Sequence, residues 1–310
     1  MNILGPDFLI FGTDDIDACA KCAEDYGLMK VERSNTGATY EAKDGTGIII
    51  RNSADTSLAA PIASDPNIRE TVYGVADKAT LKAIADNLSS DRDVKEIRPG
   101  VLRTVDDDGY PIGFQVTTRR PINAPHYGVN VPGQDESKGR GLNVIAAIDD
   151  EDIKAYSLSH VVLFTKDKVK SEKFYAERLG FRTVDVFTNL GPFMRPAGTH
   201  EHHTLFLIQR PDTLGLQHFT FHFAGANEYL KAGWEFVRKG YRSFWGPGRH
   251  ILGSNYFWYF NSPFGGLIEF DADMDLHDDS WEPRFIPANE DTSQTFLMQY
   301  TDKWSPKGRH

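Results

Sequence analysis

The chain repeats one pattern of strand, helix and strand at two places that lie 153 residues apart. The two segments read "PDFLIFGTDDIDACAKCAEDYGLMKVE" and "SHVVLFTKDKVKSEKFYAERLGFRTVD". Each has an apolar strand, an Asp, an amphipathic helix, a Gly that ends the helix and a further strand. Aligned without gaps, Asp14 matches Asp167 and Gly27 matches Gly180. Such a repetition within one chain predicts a duplicated architecture.

A second repetition joins residues 70–88 to residues 217–237. Strand-like segments at residues 108–117 and 262–272 end these two regions in corresponding fashion. The four regions together predict an α+β fold in which four βαβββ modules pair into two domains.

The order of the modules predicts three regions along the chain. We expect an N-terminal domain over residues 1–136, a C-terminal domain over residues 150–275, and a tail over residues 276–310 that packs on the C-terminal domain. The connection between the two domains is rich in Gly and Pro, which is typical of a long linker.

Charge and composition exclude several classes of protein. The formal net charge is -10 and no basic stripe is visible, which argues against a nucleic-acid partner. No apolar run reaches about 18 residues, so no transmembrane helix and no membrane partner are expected. The first residues lack a basic segment, so no signal peptide is expected. The chain has 2 cysteines, which suits a reducing cytoplasm, and we expect a cytoplasmic protein.

The two cysteines, Cys19 and Cys22, form a CxxC sequence. This spacing occurs in redox and metal sites. It also places two small residues one turn apart on a helix. We favour the second interpretation, because no other CxxC exists and the motif lies within a helix-like segment.

The histidines concentrate in the second half of the chain. Of 10 histidines, only His126 precedes residue 150. In a duplicated architecture this distribution suggests that the second half carries the chemistry.

Glu269 stands in the apolar segment "GGLIEFDA", where an ionised carboxylate needs a cation beside it. His160 lies in the first strand of the third module, and His218 lies in the first strand of the fourth. Two imidazoles and a carboxylate on one sheet face form the facial triad of Fe(II) enzymes, which leaves open positions for oxygen and substrate. Unrelated core and surface histidines are the alternative, and spacing alone leaves both open.

Neighbouring histidines offer other assignments. His222 follows His218 by four residues, but apolar residues alternate around both, which indicates a strand. Four strand residues span roughly 13 Å, so His222 is expected to be a packed or hydrogen-bonded residue instead of a second ligand. In "HEHH", at most one of His202 and His203 is expected to point inward, and an exposed polar loop is the alternative.

Residues 156–273 resemble the type I extradiol dioxygenases of the vicinal oxygen chelate superfamily, in particular the two-domain 2,3-dihydroxybiphenyl and catechol 2,3-dioxygenases. Four matching blocks carry the resemblance. They are Ser159-His160, the "HHTLF" of His202 to Phe206, Gln217-His218-Phe219, and Gly248-Arg249-His250 with Tyr259, Pro263, Gly265 and Glu269.

This resemblance implies ring opening of a catechol by O2 with an Fe(II) cofactor, or with Mn(II) as the alternative. The implied metal ligands are His160, His218 and Glu269. The implied catalytic residues are His203, for acid–base transfer, and His250 and Tyr259, for hydrogen bonds to the substrate oxygens.

The first half lacks this ligand set at the aligned positions. It has Asp7 for His160, roughly Thr71 for His218, and Gln115 for Glu269. We therefore expect a vestigial domain that supports the catalytic one, and a homo-oligomeric protein.

The pocket is predicted from a few side chains. Val162 faces the same side of its strand as His160. Phe187, Phe193 and Trp245 are candidates for an aromatic wall, with burial in the core as the alternative for each. A hydrophobic substituted catechol is the expected substrate. The rival functions are another metalloenzyme on the same fold, either a glyoxalase-like isomerase or a 2-oxo-acid dioxygenase, and a non-enzymatic protein that binds an aromatic compound.

Overall fold

The computed structural model describes residues 1–62, 67–133, 135, 139–147 and 152–298. The last part of the expected tail, residues 299–310, lies outside the described residues. The described part of the connection between the two halves, from residue 117 to residue 157, contains no strand or helix.

The first half forms one mixed sheet with two helices. Its strands are β1 (Ile3–Thr13), β2 (Met29–Ser34), β3 (Gly37–Glu41), β4 (Gly47–Asn52), β5 (Ile68–Val75), β6 (Lys95–Arg98), β7 (Val101–Val105) and β8 (Pro111–Val116). Its helices are α1 (Ile16–Tyr26) and α2 (Lys78–Leu88). The order across the sheet is β2-β3-β4-β1-β5-β8-β7-β6.

The second half forms a larger sheet of the same design. Its strands are β9 (Leu158–Thr165), β10 (Phe181–Phe187), β11 (Gly191–Pro196), β12 (Leu205–Gln209), β13 (Gly215–His222), β14 (Ser243–His250), β15 (Tyr256–Asn261), β16 (Leu267–Ala272), β17 (Arg284–Ile286) and β18 (Gln294–Leu297). Its helices are α3 (Lys168–Lys173) with a π-helical segment (Phe174–Arg178), α4 (Ala226–Arg238) and α5 (Glu290–Ser293). The order is β17-β10-β11-β12-β9-β13-β16-β15-β14-β18.

Both sheets are built from two βαβββ modules. In each half the first strand pairs parallel with the last strand of its own module, β1 with β4 and β9 with β12. The same strand pairs antiparallel with the first strand of the next module, β5 or β13. The prediction of an α+β fold with four βαβββ modules is therefore confirmed. Strands β17 and β18 come from the tail and extend the two edges of the second sheet.

Helix α1 shows why the first repeat folds as it does. The Asp15 side chain accepts a hydrogen bond from the Ala18 N–H at its start, and Gly27 ends it at φ 110°. Cys19 and Cys22 are fully buried on its core face, as the helix-face interpretation of the CxxC sequence expects.

The two copies of this repeat differ in length by one residue inside the helix. Asp15 and Asp167 cap the two helices and lie 152 residues apart, whereas the left-handed Gly27 and Gly180 lie 153 apart. The π-helical segment after α3 accommodates the extra residue, because a π turn holds one residue more than an α turn. A gapless alignment that fits the glycines therefore slips by one residue in the first strand.

That slip makes the predicted match of Asp7 with His160 wrong. In β9, Ser159 is a bulge residue and His160 pairs with Thr220. In β1, Asp7 is the bulge residue and Phe8 pairs with Val72. Phe8, and not Asp7, therefore corresponds to His160.

The same register identifies the other two positions. Val72 corresponds to Thr220, because these residues pair with Phe8 and His160. Glu70 lies two residues before Val72, as His218 lies two residues before Thr220, so Glu70 corresponds to His218. Val72 pairs with Gly113, as Thr220 pairs with Glu269. Glu70 and Gly113 therefore replace Thr71 and Gln115 as the corresponding residues. Thr71 lies one residue from Glu70, so its side chain turns to the opposite face, whereas Gln115 lies two residues beyond Gly113 on the same strand.

The first half contributes directly to the strand that carries Glu269. Tyr26 of α1 packs its ring against Phe270, with centroids 4.3 Å apart. Its hydroxyl donates a 2.6 Å hydrogen bond to the Glu269 carbonyl oxygen and accepts one from the Phe221 N–H at 3.0 Å. Helix α1 thus holds the backbone of β13 and β16 in place from behind.

Candidate metal centre

Three side chains meet at the centre of the second sheet. The Nε2 atoms of His160 and His218 lie 3.1 Å apart, and each lies 3.2 Å from Oε2 of Glu269. All three side chains are buried. They are the one group of three or more His, Cys, Asp and Glu residues within the described ranges whose ligand atoms cluster in this way.

The three residues converge because their strands are neighbours. Strand β13 pairs antiparallel with β9 and parallel with β16. Thr220 pairs with both His160 and Glu269, and His218 lies two residues before it on the same face. The apolar residues between them point to the other face and join the main core, among them Phe219.

Burial opposes ionisation of the Glu269 carboxylate, so its ionised form needs a cation beside it. Both carboxylate oxygens are buried, and neither has a contact with hydrogen-bond geometry. Burial lowers the pKa of His218, which favours its neutral form.

Hydrogen bonds behind the ligands set the tautomers of both histidines. The Ser159 hydroxyl donates to Asp271 at 3.1 Å, so its oxygen accepts the Nδ1–H of His160 at 2.9 Å. The side-chain oxygen of Gln217 accepts the Nδ1–H of His218. Each Nε2 is thereby left as a lone pair that points into the triangle.

This donor set fits a divalent metal ion. Ligand atoms about 2.1 Å from one ion and at right angles would lie about 3 Å apart, close to the edges of the triangle. Without a cation, two lone pairs and a carboxylate would face one another in a buried site. His160, His218 and Glu269 can therefore hold one metal ion and leave a face open.

Asp271 also links the site to His222. Its Oδ1 lies 2.8 Å from Nδ1 of His222, and Glu201 lies 3.2 Å from the other ring nitrogen. Burial opposes protonation of His222, but the two carboxylates outweigh it and raise its pKa well above the usual value. His222 is thus an ion-paired strand residue and does not reach the triangle.

His203 stands next to the triangle, with its ring centroid 4.2 Å from that of His160. Burial is the main cause that holds the pKa of His203 well below the usual value, and the nearby His160 imidazole is the second. The ring is therefore neutral. His202 is also buried, which excludes the exposed-loop interpretation for this pair. The two rings touch through their Nδ1 atoms, which lie 2.9 Å apart.

Asp185 and Arg284 complete this histidine pair. Nε2 of His202 lies 2.8 Å from Oδ2 of Asp185, and Arg284 of β17 donates to both carboxylate oxygens. Burial raises the pKa of Asp185, but His202 and Arg284 outweigh it and lower the pKa to about 2. Strand β17 of the tail therefore contacts the histidine pair through the Asp185 carboxylate.

We expect Asp185→Asn to lower the free energy of unfolding at pH 7 by about 2 kcal/mol, the value of the pKa depression. A depressed carboxyl pKa stabilises the fold above the unfolded value of 3.8, and that contribution is lost as the pH falls towards 2. About half of the difference should be gone at pH 3. Urea unfolding of both proteins at pH 7 and pH 3 measures this. Asp17→Asn, in an exposed ion pair, is the control, and an equal cost at both pH values would contradict the expectation.

His250 lies near Glu269 and Tyr259 lies near His218. The Ser293 carbonyl oxygen, in the tail, accepts the Nδ1–H of His250 at 3.0 Å. Nε2 of His250 is then an acceptor, and the Tyr259 hydroxyl lies 3.1 Å from it. Burial and the nearby Glu269 raise the pKa of Tyr259 well above its usual value, so the hydroxyl keeps its proton.

A cavity of about 260 Å³ opens beside these groups. His160, His203, His218, His250 and Tyr259 all line it. The rest of the wall is mainly apolar and comes from several strands and the tail. It includes Phe164, Phe187, Leu190, Phe193, Phe206, Ile208, Phe244, Trp245, Leu252, Leu267 and Ala288.

Three of the four predicted pocket residues, Phe187, Phe193 and Trp245, lie in this wall. Val162 does not line the cavity, because it packs behind the wall with Phe193 and Phe206. The alternation that puts His160 and Val162 on one face is correct, but the larger rings cover the shorter side chain.

Several wall residues were missed by the sequence interpretation. Phe206 follows His203 in the quoted "HHTLF" and could have been found there. Asn255 had no such signal. It is buried, lines the cavity, and neither atom of its amide has a hydrogen-bond partner.

We expect one tightly bound metal ion per chain. At the corresponding place in the first half, Phe8 and Gly113 offer no ligand atom, and Arg103 binds Glu70 at 2.6 Å. Arg103 pairs with Gly113 as Tyr259 pairs with Glu269, so an ion pair occupies this position. Metal analysis of loaded wild type and of Glu70→Gln should give one equivalent in both. A second equivalent that disappears in Glu70→Gln would contradict this.

Known proteins resemble this chain in sequence and in fold. Residues 157–270 match the family model of the glyoxalase/bleomycin resistance protein/dioxygenase superfamily. A stretch of 133 residues is 36% identical to Metapyrocatechase 2 of Cupriavidus necator. The match covers 43% of this chain and 38% of that protein, so the chain spans less than half the length of this curated relative.

Two solved structures extend the likeness to both halves. The Mn(II)-bound glyoxalase from Novosphingobium aromaticivorans superposes with a TM-score of 0.72 at 19% identity, covering 94% of this chain and 90% of that one. The 2,3-dioxygenase LapB from Pseudomonas sp. KL28 gives 0.71 at 19% identity, covering 93% and 98%. At these identities the likeness concerns the fold.

None of the helices in the described part of the chain combines the length and apolar character that crossing a membrane requires. The two-domain arrangement of paired modules is the fold that this chain shares with these solved structures. Over residues 157–270, the second half of this chain is similar to the glyoxalase/bleomycin resistance protein/dioxygenase superfamily.

Proposed function

We propose that the chain is an extradiol dioxygenase, which opens the ring of a substituted catechol with O2. The observation that supports this most is the presence of His203, His250 and Tyr259 around the open face of the ligand triangle, in one cavity. A simple metal site would need only the three ligands. The 36% identity to a metapyrocatechase over 133 residues points in the same direction.

The proposed metal is Fe(II), with Mn(II) as the alternative, held by His160, His218 and Glu269. When bound, such an ion supplies Lewis-acid and one-electron chemistry that lets a catecholate react with O2. The protein residues have separate tasks. Buried side chains exclude water from the cavity, and the apolar wall orients the ring.

His250 and Tyr259 are placed to form hydrogen bonds with the two oxygens of the catechol. Nε2 of His250 is an acceptor, because its Nδ1–H is committed to the Ser293 carbonyl oxygen. It can accept a hydrogen bond from one catechol hydroxyl, while the Tyr259 O–H donates to a deprotonated oxygen. Together they favour the substrate monoanion.

His203 is suited to proton transfer. Its low pKa keeps the imidazole neutral, so it can take up a proton from the substrate and later return it to the product. It lines the cavity and packs against His160, whereas Tyr259 packs against His218.

The wall favours a catechol with an apolar substituent. Aromatic side chains of Phe187, Phe193 and Trp245 face the cavity. Arg249 is paired with Asp273 at 3.0 Å and does not line the cavity. Arg210 does line it, so a carboxylated substrate must be included in any test.

The test is a panel of catechols with the Fe(II)-loaded protein in air. Catechol, 3-methylcatechol, 2,3-dihydroxybiphenyl and 3,4-dihydroxybenzoate cover small, apolar and charged substituents. Ring-opened products absorb in the visible range, and their formation gives kcat/KM directly. The expected order favours the methyl- and phenyl-substituted rings. Absence of ring opening with every catechol would refute the proposal. Preference for 3,4-dihydroxybenzoate would show that Arg210, and not the apolar wall, determines the choice of substrate.

A glyoxalase-like isomerase is the second candidate, because a Mn(II)-bound glyoxalase shares the fold at a TM-score of 0.72. Such a reaction has no need of the His203, His250 and Tyr259 set. Conversion of a thiol adduct of an α-oxoaldehyde, measured with the same metal-loaded protein, would favour this candidate if catechols are inert.

A further inference from the structure

We propose that Asp185 and His202 are positioning residues that hold His203 in one tautomer, with its proton on Nδ1 and a free lone pair on Nε2. This rests on the proposed function, in which His203 takes up a proton. No part of the sequence pattern around "HHTLF" assigns a role to His202 or to Asp185.

The direction of the hydrogen bonds follows from the outermost group. The Asp185 carboxylate is acceptor-only, and Arg284 keeps it ionised by donating to both oxygens. Nε2 of His202 lies 2.8 Å from Asp185 and must therefore carry the proton. Nδ1 of a neutral His202 is then a lone pair.

That lone pair sets the state of the next ring. Nδ1 of His203 lies 2.9 Å from Nδ1 of His202, and a hydrogen bond between them needs one proton. Since His202 offers only an acceptor, His203 donates from Nδ1. Its Nε2, on the opposite edge of the ring, has no hydrogen-bond partner among the described residues and is free to accept a proton in the cavity.

Burial makes this arrangement firm. His202 and Asp185 are fully buried, and His203 is nearly so. Reversing the chain of bonds would set the Nε2 lone pair of His202 against the ionised Asp185 oxygen in a buried site. The same pattern occurs at His160, His218 and His250, where an acceptor also ties Nδ1 and Nε2 turns to the centre.

The direct test is the tautomer of His203, read from ¹⁵N NMR of histidine-labelled, Zn(II)-loaded protein, with its signals assigned through His203→Gln. Protonated and bare ring nitrogens differ widely in ¹⁵N shift. We expect Nδ1–H in the wild type. In Asp185→Asn the amide can donate to His202, which reverses both bonds and moves the proton of His203 to Nε2. Nε2–H in the wild type, or an unchanged tautomer in Asp185→Asn, would overturn the proposal.

Two further variants separate tautomer control from packing. His202→Gln offers a carbonyl oxygen to His203 and an NH2 group to Asp185, so it should keep the wild-type tautomer, whereas His202→Leu should not. Asp279→Asn removes another ion pair of the tail, with Arg195 at 2.9 Å, and should leave the tautomer unchanged. A tautomer change in Asp279→Asn would attribute the effect to docking of the tail and overturn the proposal.

Kinetics give an independent reading. In Asp185→Asn and His202→Leu we expect kcat to fall roughly 10- to 100-fold, as for other supporting residues of metal sites, with metal content and KM for the catechol nearly unchanged. His202→Gln should recover most of the loss. Equal losses in His202→Gln and His202→Leu would count against the tautomer role. If the wild type opens no catechol, the proposed function fails, and the NMR result still decides the tautomer.

Discussion

Glu269→Gln should lose most of its bound metal and nearly all ring-opening activity. The amide has no negative charge, and its NH2 group would face the two Nε2 lone pairs that lie 3.2 Å from Oε2 in the wild type. We expect metal affinity to fall by more than about 100-fold, beyond the effect of losing an outer hydrogen-bond partner. Metal content after loading and gel filtration, together with turnover of the best catechol, measures both effects.

The control for Glu269→Gln is Glu228→Gln. Glu228 is also buried and accepts hydrogen bonds from Tyr127 and Tyr156, but it lies outside the triangle. Its replacement should leave metal stoichiometry unchanged. Wild-type metal content and turnover in Glu269→Gln would show that the three residues are not the ligand set.

His203→Ala should keep its metal and still bind the catechol, while turnover falls roughly 10² to 10⁴-fold, the usual scale for an acid–base group. His203 is not one of the three clustered residues, and its ring packs against that of His160, with centroids 4.2 Å apart. His203→Gln restores a hydrogen bond but cannot carry a proton, so the catechol should be oxidised to the o-quinone while O2 is released as hydrogen peroxide, in place of ring-opened product. Metal stoichiometry, catechol affinity and peroxide yield are the three measurements.

His200→Ala is the matched control, because His200 belongs to the same "HEHH" segment and is exposed. It should have wild-type turnover and release no peroxide. Loss of metal in His203→Ala would make His203 a ligand, and wild-type turnover there would make its role structural.

The module architecture could be predicted because its signals are local. Strand alternation, helix periodicity, a capping Asp and a terminating Gly all lie within a short stretch, and two stretches repeat. Glu269 in an apolar strand predicted a buried charge, which needs a cation beside it. The histidines of the neighbouring strands, His160 and His218, were the residues able to hold that cation. The separate roles of these residues stay predictions until they are measured.

The comparison of the two halves shows where sequence reasoning failed. A gapless alignment was correct at Gly27 and Gly180 but wrong by one residue in β1, because the π-helical segment after α3 adds a residue. Bulges at Asp7 and Ser159 then decide which side chains face inward. Hydrophobic periodicity reveals neither the π-helical segment nor the bulges, because it does not locate a single inserted residue.

The sequence by itself determined which residues are apolar, which alternate along each strand, and which carry ligand atoms. Only the tertiary structure decided their partners. Asp185 meets His202, Arg284 meets Asp185, and the Ser293 carbonyl oxygen meets His250, all across long separations in the chain. These contacts depend on the strand register and on the packing of β17 and β18 against the sheet. Both depend on hydrogen bonds between segments that are distant in the sequence, which no local pattern encodes.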